Sequence, residues 1–395
     1  MDFKHLSLFK PNMEYRRFGK TNKNISVITL GGMRYKHGWD EPRNVVADDT
    51  IEECKDTVEK ALANGINLIE TAYGYMKSET TYGIVLNDVL KLKRGSYYLM
   101  TKGAAFTADE MRRLVEEQLQ ALKTDYFDFY AWHGINNWDR YEKACAKGGP
   151  VEELLKMKNE GLIKHVGFST HALQEIIIKA IETDLFEFVN LHYYYFFQRN
   201  KGAIDLAQSK DMGVFIISPN DKGGQLFNPP QKLIELTSPL TPIQFNARFC
   251  LSNPAIHTLS FGFPATSPFD QIEGIFPTSI PLSEQDAAIK YNLDKQRLLD
   301  KYADFDGYCM ANDPSGINIP EILRFRTMLK CYDMRTFGQY RYNMFVENDV
   351  WFEGAFPTEE KLAKVDLSKC PPSVPILDLL RETHAELYKA PKKKE

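Results

Sequence analysis

No stretch of this chain approaches the roughly 18 uninterrupted apolar residues of a membrane-spanning helix, and its opening residues, Met1-Asp2-Phe3-Lys4-His5-Leu6-Ser7, lack the apolar core of a secretion signal. No membrane partner and a cytoplasmic location are therefore the expectations. A basic excess is missing too: 49 Lys and Arg face 53 Asp and Glu for a formal net charge of −4, and the dense run Lys392-Lys393-Lys394 stands at the very end. Such a chain offers no field for nucleic acid. Cysteine is sparse, and the six present (Cys54, Cys145, Cys250, Cys309, Cys331, Cys370) have no framework spacing, which reads as reduced thiols. Nor does any Gly-x-Gly-x-x-Gly follow a strand-like run and open a helix, so a Rossmann dinucleotide module is unsupported.

What the chain does contain is ordinary globular material, 43% hydrophobic and 26% charged, in a regular order. Between about residues 25 and 276, short apolar runs rich in β-branched and aromatic residues alternate with amphipathic helical stretches. That is how parallel βα units are built. Eight runs read as strands: 25–30, 66–71, 97–102, 126–133, 165–169, 186–192, 214–219 and 258–262. Eight is the number a (β/α)8 TIM barrel requires, so the expected class is α/β with such a barrel over residues 1–280. Of the helices, 108–123 carries Met111, Leu114, Val115, Leu119 and Leu122 at helical spacing behind a Thr107/Glu110 capping box, and 172–183 and 242–252 read alike. Alternation stops near residue 280, and 281–395 is expected to form a mainly helical second domain.

Four ionisable residues stand at strand-like ends: Glu70 and Tyr75 at the second run, Lys102 at the third, His133 at the fourth. In a closed barrel such ends converge on one mouth. Each alone is more often a solvated residue than a catalyst, but together they form a proton-donating set. A free phenol has a pKa of about 10, so Tyr75 would need a neighbouring ammonium that favours phenolate, a task that fits Lys102. Glu70 would pair with Lys102 and keep it charged, while His133 would hydrogen-bond a substrate oxygen. The set suits reduction of a carbonyl by hydride from a nicotinamide, with Tyr75 as general acid.

The segments Ile69-Glu70-Thr71-Ala72-Tyr73-Gly74-Tyr75, Met100-Thr101-Lys102 and Asp128-Phe129-Tyr130-Ala131-Trp132-His133 resemble the Asp/Tyr/Lys/His tetrad segments of the aldo-keto reductases. Tyr15-Arg16-Arg17-Phe18-Gly19-Lys20-Thr21 and Leu30-Gly31-Gly32-Met33-Arg34 are similar to that family as well, and the likeness covers roughly residues 13–276. It implies a small-molecule aldehyde or ketone substrate, no metal, and NADPH, or NADH in its place, lying extended over the barrel mouth. On that resemblance Ser169 and Asn190 would hold the nicotinamide amide. Ser218 and Lys222, in Ile217-Ser218-Pro219-Asn220-Asp221-Lys222-Gly223-Gly224, would approach the pyrophosphate, with a plain flexible turn as the equal alternative for this loop, and Gly262 would begin the turn at the adenine end. Three departures favour an alternative, a catalytically impaired relative that binds a nucleotide or partner: Glu70 stands in place of aspartate, the loop at 217–226 lacks the ring-stacking aromatic, and Arg248 alone lies between Lys232 and Lys290 as a 2′-phosphate clamp. Tyr75, Lys102 and His133 favour the enzyme. Trp132 and Tyr193-Tyr194-Tyr195-Phe196-Phe197 are candidates for a pocket wall, with core packing the commoner fate.

The tail carries Tyr308-Cys309-Met310-Ala311-Asn312-Asp313-Pro314 and, later, Cys370-Pro371. Bacterial two-cluster ferredoxins use Cys-x2-Cys-x2-Cys-x3-Cys-Pro. Set on Cys309 and Pro314, that frame reads Ala303, Asp306, Cys309, Asp313; set on Cys370-Pro371, it reads Glu360, Ala363, Asp366, Cys370. Some aldo-keto reductase-like proteins carry a C-terminal ferredoxin-like domain, which this tail resembles at 308–324 and 370–381. Since a [4Fe–4S] cluster needs four thiolates, the expectation is a degenerate ferredoxin-like domain with no iron-sulfur cluster. Two unrelated buried thiols are the other reading.

Overall fold

The computed structural model describes residues 13–35, 42–220, 222–263 and 269–390, the side chains of 222–224 excepted. The chain falls into two compact units, one of residues up to Asp221 with Asn246–Leu282, the other of Lys222–Phe245 with Ser283 onward.

The first unit opens with an antiparallel hairpin of β1 (Tyr15–Arg17) and β2 (Asn24–Ser26). Eight parallel strands follow: β3 (Ile28–Gly31), β4 (Leu68–Glu70), β5 (Tyr98–Gly103), β6 (Phe127–His133), β7 (Ile163–Ser169), β8 (Phe188–Leu191), β9 (Gly213–Ile216) and β10 (Thr258–Gly262). They close into a barrel in chain order, with β10 pairing both β9 and β3. This is the (β/α)8 barrel expected from the alternation. One expected strand is corrected: the run 25–30 is divided between the hairpin and the barrel. The apolar run is continuous, but its hydrogen-bonding partner changes at Val27, whose amide donates to Glu14 O at 3.0 Å.

Side chains alternate along a strand, so every second residue enters the barrel. The inward columns are Leu68 then Glu70 on β4, Tyr98, Met100 then Lys102 on β5, Phe129, Ala131 then His133 on β6, and Phe188 then Asn190 on β8. Each is apolar below and polar at its carboxyl end. Phe18, Ile25, Leu68, Met100, Phe129, Ala131, Phe188 and Phe215 form the lower core. The hairpin supplies its floor, with the Phe18 ring edge-on to Phe129 at 5.4 Å between centroids. Beside it Gly19 has φ +50°, and a Cβ there would meet the Met212 carbonyl carbon at 2.4 Å, so the turn accepts only glycine.

Helices follow the expected capping logic. The Thr107 side chain accepts from Glu110 N ahead of the helix Ala108–Ala121, and Gln174–Glu182 and Pro242–Leu251 form where helical spacing predicts them. The connection after β6 holds a further helix, Trp138–Ala144, capped by Asn137. The second unit is mainly helical, with Glu284–Arg297, Ile319–Tyr332, Arg335–Tyr342 and Ile376–Leu387 as its longer elements. Among the described residues, no helix is long and apolar enough to cross a membrane.

Candidate active site

Parallel register sets the strand ends side by side: Glu70 is level with Met100, Lys102 with Ala131, His133 with Ser169, and Ser169 with Asn190. Glu70 and Lys102 are 2% and 1% exposed and form a direct ion pair, Nζ to Oε1. Lys102 Nζ also donates to Thr71 O at 3.0 Å. Tyr75 lies in the turn after β4, fixed by Tyr75 N donating to Ala72 O and Ser78 N donating to Tyr75 O, each at 3.0 Å. Its hydroxyl donates to the same Glu70 Oε1 at 3.4 Å, and Lys102 Nζ stands 4.7 Å from its ring centroid. The His133 ring meets Tyr75 edge-on, with centroids 6.1 Å apart. The four residues named from the sequence thus come together.

Burial pulls the Lys102 ammonium well below its usual pKa and raises the Tyr75 phenol above its own. The adjoining Glu70 carboxylate opposes the first effect, since a nearby opposite charge favours the ammonium. For Tyr75 the arrangement differs from the expected lowering by Lys102. The hydroxyl bonds to a carboxylate, which favours the protonated phenol. Glutamate is one methylene longer than aspartate, a reach with which one oxygen touches both groups.

The second oxygen shows what the sequence reading missed. Glu70 Oε2 accepts from Ser260 Oγ at 3.2 Å, across the β10–β3 closure. The only local signal was that Ser260 stands two residues before Gly262 near a strand end. Glu79 was missed as well. Its fully buried carboxylate accepts from Thr101 Oγ1 and Gln118 Nε2, both at 2.6 Å, and pairs with Arg43 Nη2 at 2.9 Å. Arg43 also donates to Tyr73 O at 2.5 Å and lies 3.6 Å over the Tyr73 ring. This network ties the residues just before Lys102 to the loop that carries Tyr75.

On the cofactor side, Asn190 is fully buried. Its Nδ2 donates to Met100 Sδ at 3.4 Å, while Oδ1 has no hydrogen-bond partner among the described residues. A buried acceptor without a donor costs about 1–3 kcal/mol, which marks a place for a donating ligand. Ser169 Oγ accepts from Gly134 N at 3.1 Å and keeps its own proton to give. Past β9, Ser218 has φ 52°, and Asn220 Oδ1 is a second buried acceptor without a partner there. A Cβ on Gly262 would sit 2.7 Å from Arg34 Cγ, so this glycine makes room for an exposed cation that stands far from it in sequence. The Lys222 side chain and residues 264–268 lie outside the described residues. Trp132, by contrast, is core: fully buried, it donates from Nε1 to Ala105 O at 3.2 Å. Tyr193, Tyr194, Tyr195 and Phe196 are buried too.

Fold and strand ends together define a TIM-barrel protein with a carboxylate, tyrosine, lysine and histidine gathered at the barrel mouth. Residues 27–227 match the Aldo/keto reductase family, and the chain belongs to it. It is 28% identical over 162 residues to D-arabinose 1-dehydrogenase of Saccharomyces cerevisiae, covering 39% of this chain and 45% of that protein. It is 26% identical over 225 residues to L-galactose dehydrogenase of Arabidopsis thaliana, covering 52% and 65%. The chain thus spans less than two thirds of the length of these relatives. The fold of the aldo-keto reductase AKR11C1 from Bacillus halodurans matches with a TM-score of 0.59 at 19% identity, over 71% of this chain and 96% of that one.

Proposed function

We propose that the protein is an NAD(P)H-dependent oxidoreductase that reduces an aldehyde or ketone, with NADPH as the expected donor and Tyr75 as general acid. The observation that carries this reading is the buried contact of Glu70 with both Lys102 and Tyr75, beside His133. When bound, the nicotinamide supplies the hydride. Tyr75 holds the proton destined for the carbonyl oxygen, and the Lys102 ammonium over its ring stabilises the phenolate left behind. Glu70 keeps that ammonium charged in a site that burial would otherwise neutralise. His133 orients the carbonyl oxygen by a hydrogen bond.

Asn190 Oδ1 and the Ser169 hydroxyl offer one acceptor and one donor, which is what a carboxamide needs. Ser218, Gly262 and Arg34 are assigned to the phosphate-bearing remainder. The two named relatives, both sugar dehydrogenases, support a small, hydroxyl-rich carbonyl compound or its alcohol as substrate.

For the second unit we propose a degenerate ferredoxin-like module. In two-cluster ferredoxins the fourth ligand of each run serves the other cluster. The frame therefore pairs Cys309 with Cys370 and Asp313 with Asp366. Cys309 Sγ donates to Lys369 O at 3.2 Å, and Asp313 Oδ2 accepts from Asp366 N at 2.9 Å. Both crossed pairs support the reading.

Titrating the protein with NADPH and NADH by fluorescence, then assaying carbonyl reduction, tests the enzyme. Tyr75→Phe is expected to bind cofactor as before and to lose about 100-fold or more in kcat. Failure to bind either nucleotide removes the reductase reading, and an unchanged rate in Tyr75→Phe removes the acid role.

A further inference from the structure

We infer that Cys309 and Cys370 form a reversible dithiol/disulfide site on the second unit, oxidised by low-molecular-weight disulfides. Cys309 is exposed in the short turn Tyr308–Met310, and its thiol donates to the carbonyl of Lys369 at 3.2 Å, across 60 residues of sequence. Lys369 is the residue before Cys370. The two loops are fastened beside this contact. Asp313 Oδ2 accepts from Asp366 N, and the Asp366 side chain in turn accepts from Ser368 N at 3.1 Å and Ser368 Oγ at 2.6 Å, shaping the turn that delivers Cys370. Among the described residues, the hydrogen bonds of the Cys370 thiol are long, 3.6 Å to Pro371 O and 3.7 Å to Val374 O, so turning towards Cys309 gives up little.

The surroundings make the pair selective. Cys54, Cys250 and Cys331 are buried and Cys145 is partly so, which leaves Cys309 as the exposed thiol that an outside oxidant meets first. Burial and the neighbouring Cys309 both raise the Cys370 thiol, and since Cys309 is the exposed member of the pair, the first attack falls to it. Among the described residues, no group of three or more His, Cys, Asp or Glu gathers as metal ligands.

The exchange balances. The Cys309 thiolate attacks one sulfur of the small disulfide, forming a mixed disulfide and expelling one thiolate. Cys370 then loses its proton and attacks Cys309 Sγ, forming the protein disulfide and expelling the second thiolate. Two protein thiols are oxidised, one small disulfide is reduced to two thiols, and those carry away both protons.

The full chain, treated with oxidised glutathione, alkylated and mapped by mass spectrometry, is the test. The expected result is loss of two of the six free thiols, a linked Cys309–Cys370 peptide pair, and full reversal by dithiothreitol. Cys370→Ser is expected to trap glutathione on Cys309. Wild-type protein carrying glutathione at Cys309 with Cys370 still free, a disulfide between two chains, or no reaction at either thiol would overturn the proposal. The readout is independent of the reductase assignment.

Discussion

Glu70 uses both of its oxygens in a place where water does not reach. Oε1 contacts Lys102 and Tyr75, and Oε2 takes the Ser260 hydroxyl. A hydrogen bond to a buried charge contributes about 1.5–3 kcal/mol. Ser260→Ala is therefore expected to lower kcat about 10-fold or more while leaving NADPH affinity unchanged, measured by steady-state assay beside fluorescence titration. A parental kcat in that variant would show that Glu70 needs no anchor on β10. The grouping of Glu70, Tyr75, Lys102 and His133 was legible because strand ends and two-residue alternation are local patterns. Ser260 was not, because its contact exists only once the barrel closes across 190 residues. Arg34 escaped for the same reason, being brought to Gly262 by strand pairing rather than by proximity in sequence.

The loop that carries Tyr75 is held as an element by its following helix, Ser78–Gly83, whose Glu79 reaches under β5. Burial pushes Glu79 up to about 7, against the lowering contacts of Thr101, Gln118 and Arg43. A carboxyl raised in the folded state stabilises fully below its unfolded pKa, and that stability is lost as pH rises through the folded value. Arg43 is the cation that offsets this loss. In Arg43→Met the buried carboxylate keeps its neutral donors but loses its charge partner, and removal of such a partner costs about 1–3 kcal/mol. The deficit against wild type, followed by urea unfolding, is expected to be small at pH 5 and to grow through pH 7 to 8. A deficit independent of pH would mean that Arg43 acts through its contacts with Tyr73, the stacking on the ring and the bond to the carbonyl oxygen, rather than through Glu79. Sequence periodicity could not show this network. Glu79 reads as one more polar residue opening a helix, and nothing local says that three donors enclose it.

Across the whole molecule, the eight-stranded barrel was legible because each strand and helix carries its own period. What periodicity omits is the partner of each face. The helix Gln231–Thr237 groups with the second unit and packs on Glu284–Arg297, though the chain enters it directly from a barrel loop. The hairpin strand β2 likewise reads as the start of a barrel strand, because an apolar run does not name its neighbour. That hairpin is the barrel's lower closure. Phe18 is fully buried against Phe129 and Phe188, and its ring lies where a Cβ on Gly213 would come within 2.6 Å. The backbone of Asp211–Gly213 lies close against Gly19, which resists its moving into such a space. Phe18→Ala is accordingly expected to destabilise the first unit by about 3–5 kcal/mol, the range for emptying an aromatic site in a core that cannot collapse. Urea unfolding followed by near-UV circular dichroism measures it, and a loss below about 1 kcal/mol would show that the hairpin lies on the barrel without sealing it.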